Sequence, residues 1–145
     1  MLVLVAPGQG AQTPGFLTPW LDLPGAADRI AAWSDAIGLD LAHYGTQADA
    51  DEIRDTAVAQ PLLVAAGLLS AAALDAPSPD VVAGHSVGEI TAAAIAGVIG
   101  DEAALRFVRT RGSAWPRPPR SPRPVWRPCS AATPPSRSRT WRSSA

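Results

Sequence analysis

DVVAGHSVGEITAAAIAGVI, running from Asp80 to Ile99, is the stretch on which the fold turns. Its opening, Asp80 to Ala83, is a brief apolar run with the length and character of a strand. Gly84, Ser86 and Gly88 then fill a G-x-S-x-G pattern, and Glu89 to Ile99 has the Ala-rich composition of a helix that Gly100 is placed to stop. A strand, a tight turn carrying that pattern and a helix make a nucleophile elbow: the turn lifts the serine oxygen clear of the sheet, and only glycine tolerates the crowding on either side. Ser86 is the candidate nucleophile. It would stand at a helix N-terminus, where unpaired N–H groups and the helix dipole favour a developing oxyanion, and the N–H of Val87 is the natural donor. Taken alone, five residues with three fixed fit a purely structural turn equally well.

Working outward, Leu2 to Val5 is another short apolar run closed by Ala-Pro-Gly, as expected of a buried parallel strand. PGQGAQ at 7–12 follows it directly, so its amides would emerge at the carboxyl end of the sheet, facing Ser86. It lacks the third glycine of a dinucleotide fingerprint and the Gly-Lys-Ser/Thr of a phosphate loop, which argues against a nucleotide. AADRIAAWSDAI, Ala26 to Ile37, puts Ile30, Trp33 and Ile37 on one helical face, with Gly38 as a stop. Asp49 to Ala59 is a further helix candidate. Pro61 suits the first turn of the next helix, LLVAAGLLSAAAL, which is apolar nearly all round and therefore buried, with Pro77 and Pro79 closing it. Asp101 is placed to cap a last helix through Arg111, with Ala104, Phe107 and Arg111 on one face.

Composition sets the outer limits. A chain of 145 residues, 47% hydrophobic, suffices for one globular domain. Cys129 is the single cysteine, so no internal disulfide and no C-x-x-C metal or redox pair can form, which fits a reducing, cytoplasmic setting. MLVLVAPGQG has no basic segment and too short an apolar run for a secretory signal, and the longest apolar run, Leu62 to Leu74, falls below the ~20 residues of a spanning helix. No membrane segment and no metal site are expected. The net charge of −1 conceals two unlike halves: residues 1–111 carry −8, whereas residues 112–145 carry +7 from seven arginines, with eight of the 15 prolines. Such a stretch has too much proline for helix or interior strand and too little apolar content for a core, so residues 113–145 are expected to be disordered.

A strand, PGQGAQ, the pair Gln60-Pro61, GHSVGE and an arginine-glycine pair at Arg111-Gly112, in that order and spacing, resemble the malonyl-CoA:acyl-carrier-protein transacylase family, which loads acyl-carrier proteins. The resemblance covers residues 1–112, about the first third of such an enzyme. It implies an α/β fold with a partial parallel sheet and flanking helices, and a transfer in which Ser86 takes a malonyl group from malonyl-CoA and passes it to the phosphopantetheine thiol of an acyl-carrier protein. It further implies an oxyanion hole from the backbone N–H groups of Val87 and Gln9, a lining role for Gln60, and a malonyl-carboxylate site at Arg111. Malonyl-CoA and phosphopantetheine are then substrates, with no cofactor and no nucleic-acid partner. A planar guanidinium holds a carboxylate with two parallel charge-assisted bonds, which suits Arg111 to selecting malonyl over acetyl. The family's general base is a histidine far downstream, absent here. His85, beside the nucleophile on a sharp turn, reads as structural, and His43 as a surface or packing residue.

The family pattern continues beyond the arginine-glycine pair as an Ala-rich helix, whereas here the resemblance stops at Gly112, which suggests a shifted reading frame. Trp is encoded only by TGG and Cys by TGT or TGC, so reading from the preceding base turns Trp115, Trp126, Cys129 and Trp141 into Leu, Met or Val. One codon choice for residues 113–120 reads Gly-Met-Ala-Glu-Ala-Ala-Ala in that frame. On this reading the chain is truncated and inactive alone, and sequencing the coding DNA past codon 112 decides the matter. Three other functions stay open: a polyketide-synthase acyltransferase, a serine hydrolase, and an Arg/Pro-rich binding protein with an SH3-type or nucleic-acid partner.

Overall fold

The computed structural model describes residues 1–74 and 78–114. Within them two strands and six helices form an α/β unit. Strand β1, Val3–Ala6, lies parallel to β2, Val81–Gly84, with Val3 opposite Val81 and Ala6 opposite Gly84. Asp80 fastens the start of the ribbon, its carboxylate accepting from the Leu2 amide at 2.6 Å.

The crossover between the strands carries α1 (Thr18–Leu21), α2 (Ala26–Ile37), α3 (Leu41–Thr46), a 3₁₀ turn (Glu52–Arg54) and α4 (Thr56–Ala73); α5 (Gly88–Ile95) and α6 (Asp101–Ala114) follow β2. The bounds and buried face of α2 are those expected from its periodicity, with Ala26, Ile30, Trp33 and Ile37 inside. The core is built around α4. Its residues from Val58 to Ala65 are all buried, with Leu68 and Leu69, and Leu62, Val64 and Ala65 are fully enclosed. Each such Leu or Val contributes roughly 1.5–3 kcal/mol on leaving water. By length and a mean hydropathy of 1.6 this helix also qualifies as a membrane span, but it is the element on which α3, α5 and α6 pack.

Several expectations for the helices need correcting. The helix foreseen over Asp49 to Ala59 is a 3₁₀ turn at Glu52–Arg54 followed, from Thr56, by the start of α4, which Asp55 caps by accepting from the Ala57 amide at 2.9 Å. Pro61 therefore sits inside α4, not in its first turn. Helix α5 stops at Ile95, short of Ile99, because Gly97 takes a φ of 74° and the amides of Gly97 and Val98 fold back onto Ala94 and Ala93, closing a Schellman turn. On α6 the buried stripe is Ala104, Leu105, Val108 and Gly112, and Phe107 is 58% exposed. Asp101 lies in the first turn of α6, its carboxylate paired with Arg29 at 2.7 Å.

The strands, expected to be buried on both faces, are covered on one only. Parallel register places Val3 beside Val81 and Val5 beside Ala83 on the open face, and Val3, Val5 and Val81 are 45%, 68% and 46% exposed. Helix α6 runs to Ala114, two residues beyond Gly112, and the Pro/Arg-rich stretch after it lies outside the described residues, as does Pro77.

Candidate acyl-transfer site

The elbow takes the shape that its glycines dictate. Ser86 has φ 56°, the left-handed region that a residue with a side chain enters only under constraint. The constraint is steric on both sides. A Cβ on Gly84 would strike the backbone of Gly88 and Glu89, and one on Gly88 would strike the carbonyls of Ala6 and Pro7. The two strands and the turn thus close to backbone contact, and the hydroxyl of Ser86 is pushed out at the mouth of the sheet.

Backbone pairing around the turn leaves a donor open. The amides of Gly88, Glu89 and Ile90 each reach back three residues, to the carbonyls of His85, Ser86 and Val87. Among the described residues the amide of Val87, behind a fully buried side chain, donates to no acceptor in the chain, nor does that of Gln9. His85 is exposed, and its ring lies over Gly8, where a Cβ would stand 2.5 Å from its Nδ1. It packs the PGQG loop and does not hydrogen-bond Ser86. His43 is an exposed residue of α3, edge to face with Tyr44 at 5.4 Å.

The other three residues expected here, Arg111, Gln60 and Gln9, are joined to Ser86 or to one another. Arg111 Nη2 donates to Ser86 Oγ at 3.3 Å and its Nη1 donates to Gln60 Oε1 at 2.7 Å. Gln60, 3% exposed, donates through Nε2 to Gln9 Oε1, and Gln9 Nε2 donates to Thr56 Oγ1, each at 3.3 Å. A guanidinium can only donate, so the direction of the whole chain is fixed from its charged end. Each amide presents its oxygen toward Arg111 and its nitrogen away from it. A buried Gln is thereby satisfied at both ends, and three separate segments, the PGQG loop, α4 and α6, are tied to the serine.

Thr56 and Gln12 were not foreseen from the sequence. Gln12 braces the loop, accepting from the Gly10 amide at 2.8 Å and donating to the Ile53 carbonyl at 3.2 Å. Arg109 was missed as well. Its Nη1 donates to the Ala57 carbonyl at 2.8 Å, the acceptor to which Pro61, having no N–H, cannot give the usual i+4 helix bond. A proline six residues into a helix and an arginine on a facing helix were the available signals. No group of three or more His, Cys, Asp or Glu suited to a metal occurs among the described residues.

Comparison with known proteins places the chain in a family. The acyl transferase domain model matches residues 3–117. The malonyl CoA-acyl carrier protein transacylase of Mycobacterium tuberculosis is 59% identical over 118 residues, covering 78% of this chain and 39% of the relative. That of Escherichia coli K12 is 37% identical over 112 residues, or 74% of this chain and 36% of the relative. Among solved structures, the M. tuberculosis enzyme superposes with a TM-score of 0.75 at 60% identity, covering 78% of this chain and 39% of that one. A malonyl-transacylase solved in complex with a type II polyketide-synthase acyl-carrier protein gives 0.72 at 34% identity, covering 77% and 38%. The chain spans about two-fifths of the length of the curated relatives it matches. With the acyl transferase domain model matching residues 3–117, most of its length, the chain belongs to the acyl transferase domain family.

Proposed function

We propose that the protein transfers a malonyl group from malonyl-CoA to the phosphopantetheine thiol of an acyl-carrier protein in cytoplasmic fatty-acid synthesis, through an ester on Ser86. The observation that carries this reading is the guanidinium of Arg111, one hydrogen bond from Ser86 Oγ and held from the other side by Gln60.

In the first half-reaction Ser86 Oγ attacks the thioester carbonyl and gives its proton to an added base, the part imidazole plays in the test below, and the tetrahedral oxyanion accepts from the backbone N–H groups of Val87 and Gln9. Collapse breaks the C–S bond and expels the CoA thiolate, leaving the malonyl ester. In the second, the phosphopantetheine thiol gives its proton to that base and attacks the ester as the thiolate, the same two amides receive the oxyanion, and Ser86 leaves as the alkoxide and takes a proton back from the protonated base. Preorganised donors of this kind are worth about 3–4 kcal/mol each to such a step. A malonyl group on Ser86 is short enough to bring its free carboxylate to Arg111, whereas an acetyl group presents nothing to the guanidinium. A serine hydrolase would have no use for that charge. The chain's two histidines are His43 and His85, and neither hydrogen-bonds Ser86. Within these residues the nucleophile has its electrostatic partner without an imidazole to take its proton.

The test is mass analysis of the Ser86 peptide after incubation with malonyl-CoA or acetyl-CoA, with and without added imidazole as the base. A malonyl ester on Ser86 that imidazole accelerates, that exceeds acetyl labelling, and that disappears in Ser86→Ala supports the reading. Arg111→Ala is expected to abolish the malonyl preference, and Arg111→Lys to keep little of it, because an ammonium cannot bond Gln60 and a carboxylate in one plane. Equal labelling by the two thioesters in the unmodified chain would remove Arg111 from the proposed role.

A further inference from the structure

We propose that Arg109 is a positioning residue for the site: it clamps α6 against α4 at the carbonyl that Pro61 leaves open, and so fixes the roll of α6 that aims Arg111 at Ser86.

Each residue of a helix turns 100° from the last. On α6 this puts Arg109 and Arg111 on opposite flanks of the buried stripe Ala104, Leu105, Val108 and Gly112. Both arginines reach the same end of α4, Arg111 to the side chain of Gln60 and Arg109 to the carbonyl of Ala57. Between them the backbones nearly touch, since a Cβ on Gly112 would lie 2.9 Å from the Thr56 carbonyl oxygen and 3.2 Å from Ala57 Cα. A close contact at the centre serves as a pivot and does not by itself stop rotation about the helix axis. A bond on one flank permits a roll toward that flank; bonds on both flanks prevent either roll.

The anchor on the Arg109 side exists because of a defect. In an unbroken helix the Ala57 carbonyl would accept from residue 61, but Pro61 has no N–H, and its ring crowds that carbonyl outward. The part-buried Arg109 meets it at 2.8 Å with a charged donor, a stronger bond than a neutral amide makes. Arg109 acts through Arg111 and does not touch Ser86. The clamp rests on the proposed role of Arg111 for its consequence only, and its existence is separately measurable.

The experiment is a double-mutant cycle on the full chain with Arg109→Ala, Pro61→Ala and both together, beside Arg109→Lys. Two readouts are taken, the thermal midpoint and the side-chain ¹H–¹⁵N NMR signals of Arg111. Arg109→Ala alone is expected to lower the midpoint by roughly 4–8 °C, the effect of about 1 kcal/mol in a domain of this size, and to broaden the Arg111 signals. In the Pro61→Ala background, where residue 61 supplies the N–H, removing Arg109 should cost little. Arg109→Lys, which still donates, should restore most of both readouts. Equal losses with and without Pro61, or unchanged Arg111 signals in Arg109→Ala, would overturn the clamp. Malonyl labelling of Ser86 in the same variants keeps the two ideas apart. If the cycle holds but Ser86 takes no malonyl group, the clamp stands and the acyl-transfer reading falls.

Discussion

Ser86 occupies a left-handed backbone conformation with φ 56°, and its neighbours at Gly84 and Gly88 leave the turn no room to relax. Holding a non-glycine residue there costs of order 1–3 kcal/mol. The cost has a measurable signature that depends on the backbone alone. Ser86→Gly removes the strain, although glycine loses more chain entropy on folding, whereas Ser86→Ala keeps the strain. Both lose the candidate nucleophile, yet Ser86→Gly should be the more stable of the two by about 1 kcal/mol in urea denaturation. Alanine equal to or above glycine would show that the turn is not strained. At this scale the elbow was readable from its glycines and the grouping from the resemblance: Ser86, Arg111, Gln60 and Gln9 lie in one hydrogen-bonded chain. Thr56 and Arg109 were not readable, because nothing in a hydroxyl or an exposed-looking arginine announces which carbonyl or amide a distant turn will bring to it.

Between elements, the decisive contact is α4 against the end of α6. Gly112 brings the two backbones together, and a methyl group there would meet the Thr56 carbonyl oxygen at 2.9 Å. Because that neighbour is backbone, it cannot swing aside as a flexible side chain would. Gly112→Ala should therefore destabilise the fold by about 1–3 kcal/mol, the usual cost of overpacking, and should loosen Arg111 from Gln60. An unchanged denaturation midpoint would mean that the helices sit farther apart than the structure has them. Periodicity placed α2 from Ala26 to Ile37 because three apolar residues, Ile30, Trp33 and Ile37, recur at helical spacing with a glycine after them. It failed at the start of α4, where the proline at position 61 suggests a beginning and the true one is an aspartate cap at Asp55, six positions earlier. It also turned α6 by the wrong amount. Phe107 is the largest apolar side chain on that helix and drew the inward face toward itself, whereas tight packing on α4 needs the small residues Ala104 and Gly112. Close helix packing selects for smallness, which a hydrophobic pattern does not register.

For the whole molecule, the parallel pair β1–β2 has helices on one face only among the described residues, although parallel sheets are stable chiefly when both faces are covered. Register turns this into a single patch, because Val3 stands beside Val81 and Val5 beside Ala83 on the open side. Each strand also has one edge whose N–H and C=O groups pair with no other strand among the described residues, a template for another chain. Apolar face and open edge together favour self-association, and the two contributions are separable. Val5→Thr with Val81→Thr keeps β-branched side chains, so the strands persist, but makes the face polar. Analytical ultracentrifugation over a range of concentrations should show the unmodified chain associating and the double variant shifted toward monomer. If the unmodified chain is monomeric throughout, the exposed face is harmless as it stands. If both associate equally, the open edges and not the valines hold the copies together, and a lysine introduced by Val3→Lys at the edge strand becomes the change expected to separate them.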